Sequence, residues 1–179
     1  MHKGKWKIIF ILISIVLIVV VSNYFTRDKY TAINEDTIKK VSGKEEFELL
    51  NYKIVNNVDK PFSLIAYKDH KRIGVGMLTI VNGQEEFVRE LEIQEDKKQV
   101  VQTIGRKRGS PYLALFINSE KILMYGKTIS ITFPNQRTQT KKMDVKETVY
   151  IFISDSSDTR FKPTEVDIRD GQGKVIYKK

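Results

Sequence analysis

The chain has 179 residues, 41% of them hydrophobic and 30% charged, a composition that suits one compact domain with a modest core. It has no cysteine, which excludes disulfides, thiolate metal sites and lipoprotein acylation. Of the two histidines only His70 lies outside the N-terminal flank, so neither an imidazole metal cluster nor a catalytic triad can be assembled. We expect no metal, no cofactor and no enzymatic activity; the paired carboxylates of a glycosidase are the catalytic arrangement left open.

The N-terminal segment carries the strongest signal in the sequence. Lys3, Lys5 and Lys7 precede an apolar run over residues 8–25 that contains no charged side chain. Counted from Trp6, the segment has 20 residues, which as a helix would cross about 30 Å of hydrocarbon. We therefore predict a transmembrane signal anchor at 8–25. The residues assigned to the membrane are Ile8, Phe10, Leu12, Val16, Leu17 and Val20.

The charges on either side of this span predict its orientation. Three lysines and no acid precede it, whereas Arg27, Asp28 and Lys29 follow it and nearly balance one another. Residues 1–7 should be a cytoplasmic flank, and the rest of the chain after the span should be extracytoplasmic at the cell membrane. Without the three N-terminal lysines, the formal net charge of +9 becomes +6 for that external part.

A cleaved secretory signal peptide is the alternative reading of the same segment. Its strictly apolar stretch is short, and Val20 and Ser22 are small residues placed before a potential cut ahead of Asn23. Tyr24 and Phe25 favour the uncleaved anchor, because they extend the apolar segment toward an interfacial aromatic belt. A buried helix of a soluble core is disfavoured, since such a helix would normally have a polar face.

Residues 26–43 are predicted to be a juxtamembrane linker with a short helix within residues 31–43. Asn34 is the expected N-cap, and Glu35 and Asp36 suit the positive end of the helix dipole. Gly43 is placed where a left-handed C-terminal cap is usual. A helix this short must pack on the following domain to be stable.

From residue 44 to residue 179 the pattern changes to short strand-like runs separated by turn residues, with no second domain boundary. The sharpest turn signal is the Asn82-Gly83 pair, and the last hairpin turns at residues 170–173. The predicted strands are 47–55, 62–68, 73–81, 87–93, 99–104, 112–117, 122–133, 143–154, 164–169 and 174–178. Strands at this spacing with little helix indicate a mainly β domain, an antiparallel β-sandwich or two packed β-sheets.

Three motifs have the composition of a binding site. Gly74 and Gly76 form a Gly-x-Gly without the third glycine or helix of a dinucleotide site, so they more plausibly mark a bulge or close packing in a strand. Arg106, Lys107 and Arg108 form a basic loop that is a candidate anion site; it lacks the interleaved aromatics that nucleic acid would need. The loop at 154–159 offers hard oxygens for calcium but lacks the usual ligand spacing.

Several stretches together resemble a known group of proteins. They are the basic N-terminal anchor, TAINEDTIKKVSG, SLIAYKDHKRIGVGML, SPYLALFINSEKI and PTEVDIRDGQGKVIYKK. In this order they are similar to a loose group of small uncharacterised membrane-anchored extracytoplasmic proteins of Bacillus-type Gram-positive bacteria. The resemblance implies the anchored topology and a β domain; the group carries no assigned activity, so it implies no functional residue.

The sequence therefore favours a single-pass membrane protein whose external β domain binds an unknown membrane or envelope protein through its edge strands. The alternative is direct binding of an anionic envelope polymer through the basic loop, and we expect no nucleic acid partner.

Overall fold

The computed structural model describes residues 14–18, 28–106, 112–132, 137–153 and 165–179. Within these ranges, residues 14–18 are helical, and two helices and eleven strands follow. The helices are α1 (Glu35–Lys44) and α2 (Glu120–Tyr125). The strands are β1 (Glu48–Val55), β2 (Phe62–Asp69), β3 (Arg72–Val81), β4 (Gln84–Gln94), β5 (Val101–Arg106), β6 (Tyr112–Ile117), β7 (Gly126–Thr132), β8 (Thr138–Lys142), β9 (Val149–Ile153), β10 (Glu165–Asp170) and β11 (Val175–Lys178).

The strands form three sheets, and every strand pairing recorded among the described residues is antiparallel. The first sheet has the order β1-β2-β3-β4, the second β5-β6-β9 and the third β11-β10-β7-β8. The prediction of a mainly β domain built from antiparallel sheets is confirmed. We call the three sheets the first, middle and third sheet.

The sheets are stacked face to face with the middle sheet between the other two. One apolar cluster joins the middle sheet to the first sheet, and another joins its opposite face to the third sheet and α2. A third cluster packs α1 on the outer face of the first sheet through Ile38 and Val41. Each neighbouring pair of sheets therefore packs as in a sandwich. The layers follow one another in the order α1, first sheet, middle sheet, third sheet.

The sequence of β6 explains why it occupies the centre. All six of its residues, Tyr-Leu-Ala-Leu-Phe-Ile, are apolar or aromatic, and all six are buried. Successive side chains of a strand point to opposite faces, so Leu113 and Leu115 face the third sheet while Ala114 and Phe116 face the first. A strand that is covered on both faces has a continuous apolar sequence, whereas β4, at the edge of the first sheet, alternates between apolar and polar residues.

Helix α1 begins as the sequence predicts but ends differently. The Asn34 side chain accepts a hydrogen bond from the amide of Thr37 at 2.9 Å, so the predicted N-cap is confirmed. The predicted left-handed cap at Gly43 is wrong, because the helix continues through Lys44 and its C-cap, Glu45, keeps a right-handed backbone. The left-handed residue is Glu46, with φ of 57°.

The segment before α1 is bound to the first sheet. Asn82 donates its amide to the Lys29 carbonyl at 2.8 Å, and its side-chain oxygen accepts the Lys29 amide at 3.0 Å. The amide of Thr31 donates to the Ile80 carbonyl at 3.1 Å, and the side chain of Asn56 pairs with both main-chain groups of Ile33 at 3.0 Å. These bonds dock residues 29–33 on the first sheet, at the ends of β3 and β1.

The turns follow the predicted chemistry. Asn82 and Gly83 have φ of 52° and 79° and join β3 to β4, and the last hairpin joins β10 to β11. Gly74 and Gly76 lie in β3, where an added Cβ would be 2.6 Å from Tyr67 Cζ and 2.3 Å from Phe87 Cζ. The expected close packing at these glycines is confirmed, and a bulge in β4 lies opposite Val75 and Gly76.

Two predicted strands are wrong in their bounds. The run over 122–133 contains the end of α2 before β7 begins at Gly126, because Ser119 caps a helical turn with its hydroxyl. The run over 143–154 contains β9 only from Val149, and the polar strand β8 before it was not predicted. The residues of α2 and β8 do not alternate between apolar and polar side chains, so the sequence pattern does not show where β7 and β9 begin.

Candidate functional site

Strand β9 forms one edge of the middle sheet. It pairs with β6 on one side, and no strand of the described chain pairs with its other side. The main-chain groups of Val149, Ile151 and Ile153 point away from β6, since side-chain donors from outside the sheet bind the carbonyls of these alternate residues. The edge therefore presents main-chain groups of the kind that a further strand would bind.

Side chains from the other two sheets reach these carbonyls. Asn51 of β1 donates its side-chain amide to Val149 O at 2.6 Å. From the third sheet, Gln139 Nε2 donates to Ile153 O at 2.8 Å and Lys141 Nζ donates to Ile151 O at 2.5 Å. Since the N–H and C=O of one residue in an antiparallel strand point the same way, the amides of these three β9 residues face the same side.

A groove of about 440 Å³ runs along this edge. Residues 53–57 at the end of β1 form one wall, Gln139 and Lys141 of β8 form the other, and residues 151–153 form the floor. We call this feature the β9 groove. It is the meeting point of all three sheets, which explains why no single stretch of the sequence predicts it.

Among the described residues that line it, the β9 groove carries only positive charge. Lys53 and Lys141 line it together with amide side chains, and none of the described lining residues is a carboxylate. Burial lowers the pKa of Lys141, the charge of Lys53 lowers it further, and the smaller effect of the Glu147 carboxylate raises it. The Lys141 ammonium also lies over the Phe152 ring, 5.0 Å from its centroid. A cation is thus held in a partly buried position beside a second cation.

A buried carboxylate that sequence reasoning missed lies where β4 meets the middle sheet. Glu90 is the extra residue of a bulge in β4, opposite Val75 and Gly76 of β3, and its side chain, 8% exposed, receives a hydrogen bond from Arg106. Its second oxygen and the Tyr112 hydroxyl are both buried and lack a hydrogen-bond partner among the described residues. Burial, and then the Glu90 charge, raises the pKa of Tyr112. A bulge has no sequence signal of its own, so Glu90 reads as one of several surface acids.

The structure bears on only part of the predicted basic loop. Arg106 forms the ion pair with Glu90, while Lys107 and Arg108 lie outside the described residues. One of the three cations therefore has an internal carboxylate partner, and anion binding by this loop stays a prediction. The acidic loop at 154–159 also lies outside the described residues, and no group of three potential metal ligands occurs in the part of the chain that is described.

Of the residues assigned to the membrane, Val16 and Leu17 are described, and both belong to the helical stretch 14–18. Their side chains are 59% and 61% exposed. The other four, Ile8, Phe10, Leu12 and Val20, lie outside the described residues. Over the described ranges, none of the helices has the length and apolar character needed to cross a membrane.

Comparison of the chain with protein-family models, with curated proteins and with solved structures gave no match. The resemblance to the Gram-positive membrane-anchored group therefore stays an expectation.

Proposed function

We propose that this protein is a binding module: an extracytoplasmic β domain, carried on a single membrane span, that acts as an accessory to a membrane or envelope complex. The open edge of β9 is its contact surface. The observation that carries the proposal is the row of outward-facing main-chain groups on β9. A groove borders this row, and within the described part of the chain side chains, and no strand, bind its carbonyls.

Binding by strand addition uses the features found at this edge. An extended partner segment gains affinity from main-chain hydrogen bonds and specificity from the side chains around it. Proteins commonly protect exposed strand edges with lysines on the edge strand; here Lys141, from the neighbouring β8, binds the Ile151 carbonyl of the edge. Such protection suits an edge that must stay unpaired until its own partner arrives.

The membrane placement is supported by the apolar N-terminal run and by its described part. Residues 15–18 expose between 52% and 65% of their apolar side chains. A row of exposed apolar side chains on a helix is stabilised when lipid covers it.

Topology can be tested with single cysteines, because the chain has none of its own. We expect a membrane-impermeant maleimide to label Asn57→Cys in intact cells and to label Lys3→Cys only after the membrane is permeabilised. Labelling of both variants only after permeabilisation would place the β domain in the cytoplasm and overturn the topology.

The binding surface can be tested in the same cells with a photoreactive cross-linker attached to single cysteines. Asn57→Cys lines the β9 groove, whereas Val88→Cys lies on the exposed part of β4 and serves as the control. We expect a discrete cross-linked species from Asn57→Cys and none from Val88→Cys. Equal patterns from both positions, or none from either, would reject the groove as the contact surface.

The anchor can be tested by replacing residues 1–27 with a cleaved secretion signal. If tethering matters, the released β domain should fail to restore the phenotype of a deletion strain at the same abundance. Full restoration by the released form would show that attachment to the membrane is irrelevant.

A further inference from the structure

We propose that the occupant of the β9 groove is an extended acidic segment of a partner protein, which adds a strand to β9 and places a carboxylate beside Lys53 and Lys141. The inference rests on the proposed function and deepens it, because it names the chemistry of the partner.

The main chain of β9 sets the length of the segment. Five residues of antiparallel strand extend for about 17 Å. Asn51 belongs to β1 and holds Val149 O, so the part of the edge bordered by the groove contains Ile151 and Ile153. A segment of four or five residues can pair with these two residues once Gln139 and Lys141 release their carbonyls.

The charges select an acidic occupant. Lys141 donates to a neutral carbonyl, and the charge with the largest effect on its pKa among the described residues is that of another lysine, Lys53; the opposing effect of the Glu147 carboxylate is smaller. An incoming carboxylate would lie between like charges and stabilise both, and the Lys141 ammonium released from Ile151 O would have a stronger acceptor. A basic segment would meet repulsion from both lysines, so the groove discriminates by sign as well as by shape.

The same charges argue against a second copy of this chain as the occupant. Two β9 edges that paired around a twofold axis would bring the lysines of both grooves together without a carboxylate from the described lining of either groove. Strand β8, which forms one wall, ends in Lys141 and Lys142 and adds to this repulsion.

The test uses the full chain in lipid nanodiscs, with a fluorophore on Asn57→Cys to report occupancy of the groove. The probe is a seven-residue blocked peptide in which glutamate alternates with valine. The first control peptide has glutamine in place of glutamate, and the second keeps the glutamates but carries N-methyl groups on the amides that would bond to β9. We expect the acidic peptide to bind at least tenfold more tightly than either control.

Two substitutions test whether the lysines of the β9 groove cause the preference for the glutamate peptide. Lys53→Gln and Lys141→Gln should each remove most of the preference for glutamate over glutamine, whereas Lys142→Gln, an exposed lysine on the same strand, should retain it. Far-UV circular dichroism of each variant verifies folding. Because Lys53 and Lys141 are changed separately, the conclusion does not depend on either variant alone.

Three outcomes would overturn the inference: equal affinity for the glutamate and glutamine peptides, full binding of the N-methylated peptide, or no binding at about 1 mM peptide. A position-specific cross-link from Asn57→Cys in cells would then still support the proposed binding function with an occupant of different chemistry. Loss of that cross-link would instead count against the proposed function itself.

Discussion

Neighbouring residues of β6 provide a sharp test of the three-layer stack. Leu115 packs against the third sheet and Phe116 against the first, with exposures of 0% and 3%. In a domain with only two sheets, one of these side chains would face solvent or a loosely packed surface. In the stack described here, Leu115→Ala and Phe116→Ala should both be strongly destabilising.

The expected loss in the free energy of unfolding follows from the burial of β6 on both faces. Removing about three methylene equivalents from Leu115 forfeits about 2.4 kcal/mol of transfer free energy, and the cavity left behind raises the cost to about 3–5 kcal/mol. Phe116→Ala should cost about the same. For a domain of this size, each change should lower Tm by roughly 6–20 °C. Val88→Ala, at a side chain 56% exposed, should cost about 0.5 kcal/mol or less.

The assay is urea unfolding of the full chain in mild detergent, followed by far-UV circular dichroism. Tryptophan fluorescence is unsuitable, because the single tryptophan is Trp6, far in sequence from the β domain. If either Leu115→Ala or Phe116→Ala costs less than about 1 kcal/mol, similar to Val88→Ala, that face of β6 is not packed and the order of the layers is wrong.

Three further predictions concern the glycines, a buried tyrosine and a turn. Gly43→Ala should raise the free energy of unfolding by about 0.5–1 kcal/mol, because the residue lies in α1 with no atom within 4 Å of the new Cβ. Gly76→Ala should lower it by about 1–3 kcal/mol, since the new Cβ would lie 2.3 Å from Phe87 Cζ; thermal melts of the pair test both signs. Burial, aided by a hydrogen bond to a carboxylate, raises the folded-state pKa of Tyr67 above its unfolded value. The contribution of Tyr67 is therefore complete below about pH 10 and falls as pH rises above it, and Tyr67→Phe should flatten this loss in melts at pH 9–11. A loss as steep in Tyr67→Phe as in the parent would contradict the assignment. Asn82→Ala should cost about 1 kcal/mol or more, because it removes both a residue suited to φ of 52° and the acceptor of the Lys29 amide; hydrogen exchange should show faster opening at residues 28–34 than in an Asn57→Ala control.

Much of the fold could be predicted because its signals are local. The Asn82-Gly83 turn, the Asn34 cap and the apolar run of β6 each depend on the conformational preferences of a few adjacent residues. The end of α1 could not be predicted in this way, because Gly43 permits a left-handed cap without requiring one. Strand β8, Thr-Gln-Thr-Lys-Lys, has no apolar residue and is a strand because β7 pairs with it.

The sequence predicts that the candidate site lies on a strand edge, but it does not predict which edge. Counting strands indicates that edges exist, but which edge stays open depends on the order of strands within sheets, which is a long-range property. Lys53 and Lys141 are 88 positions apart and become neighbours only when β1 and β8 meet at β9. Arg106, by contrast, is a candidate anion-binding residue because of the basic residues next to it in the sequence. Its partner Glu90 is evident only from the bulge in the structure.

The docking of residues 29–33 on the first sheet shortens the flexible linker between the proposed membrane span and the β domain. If the span ends at residue 25, only residues 26–28 separate it from the first bond to the β domain, although 18 residues lie between the span and position 44. Three residues reach at most about 10 Å when fully extended. Under the proposed topology the first sheet is therefore held close to the end of the span, and a partner must present its acidic segment within the reach of a domain that cannot move far from the membrane.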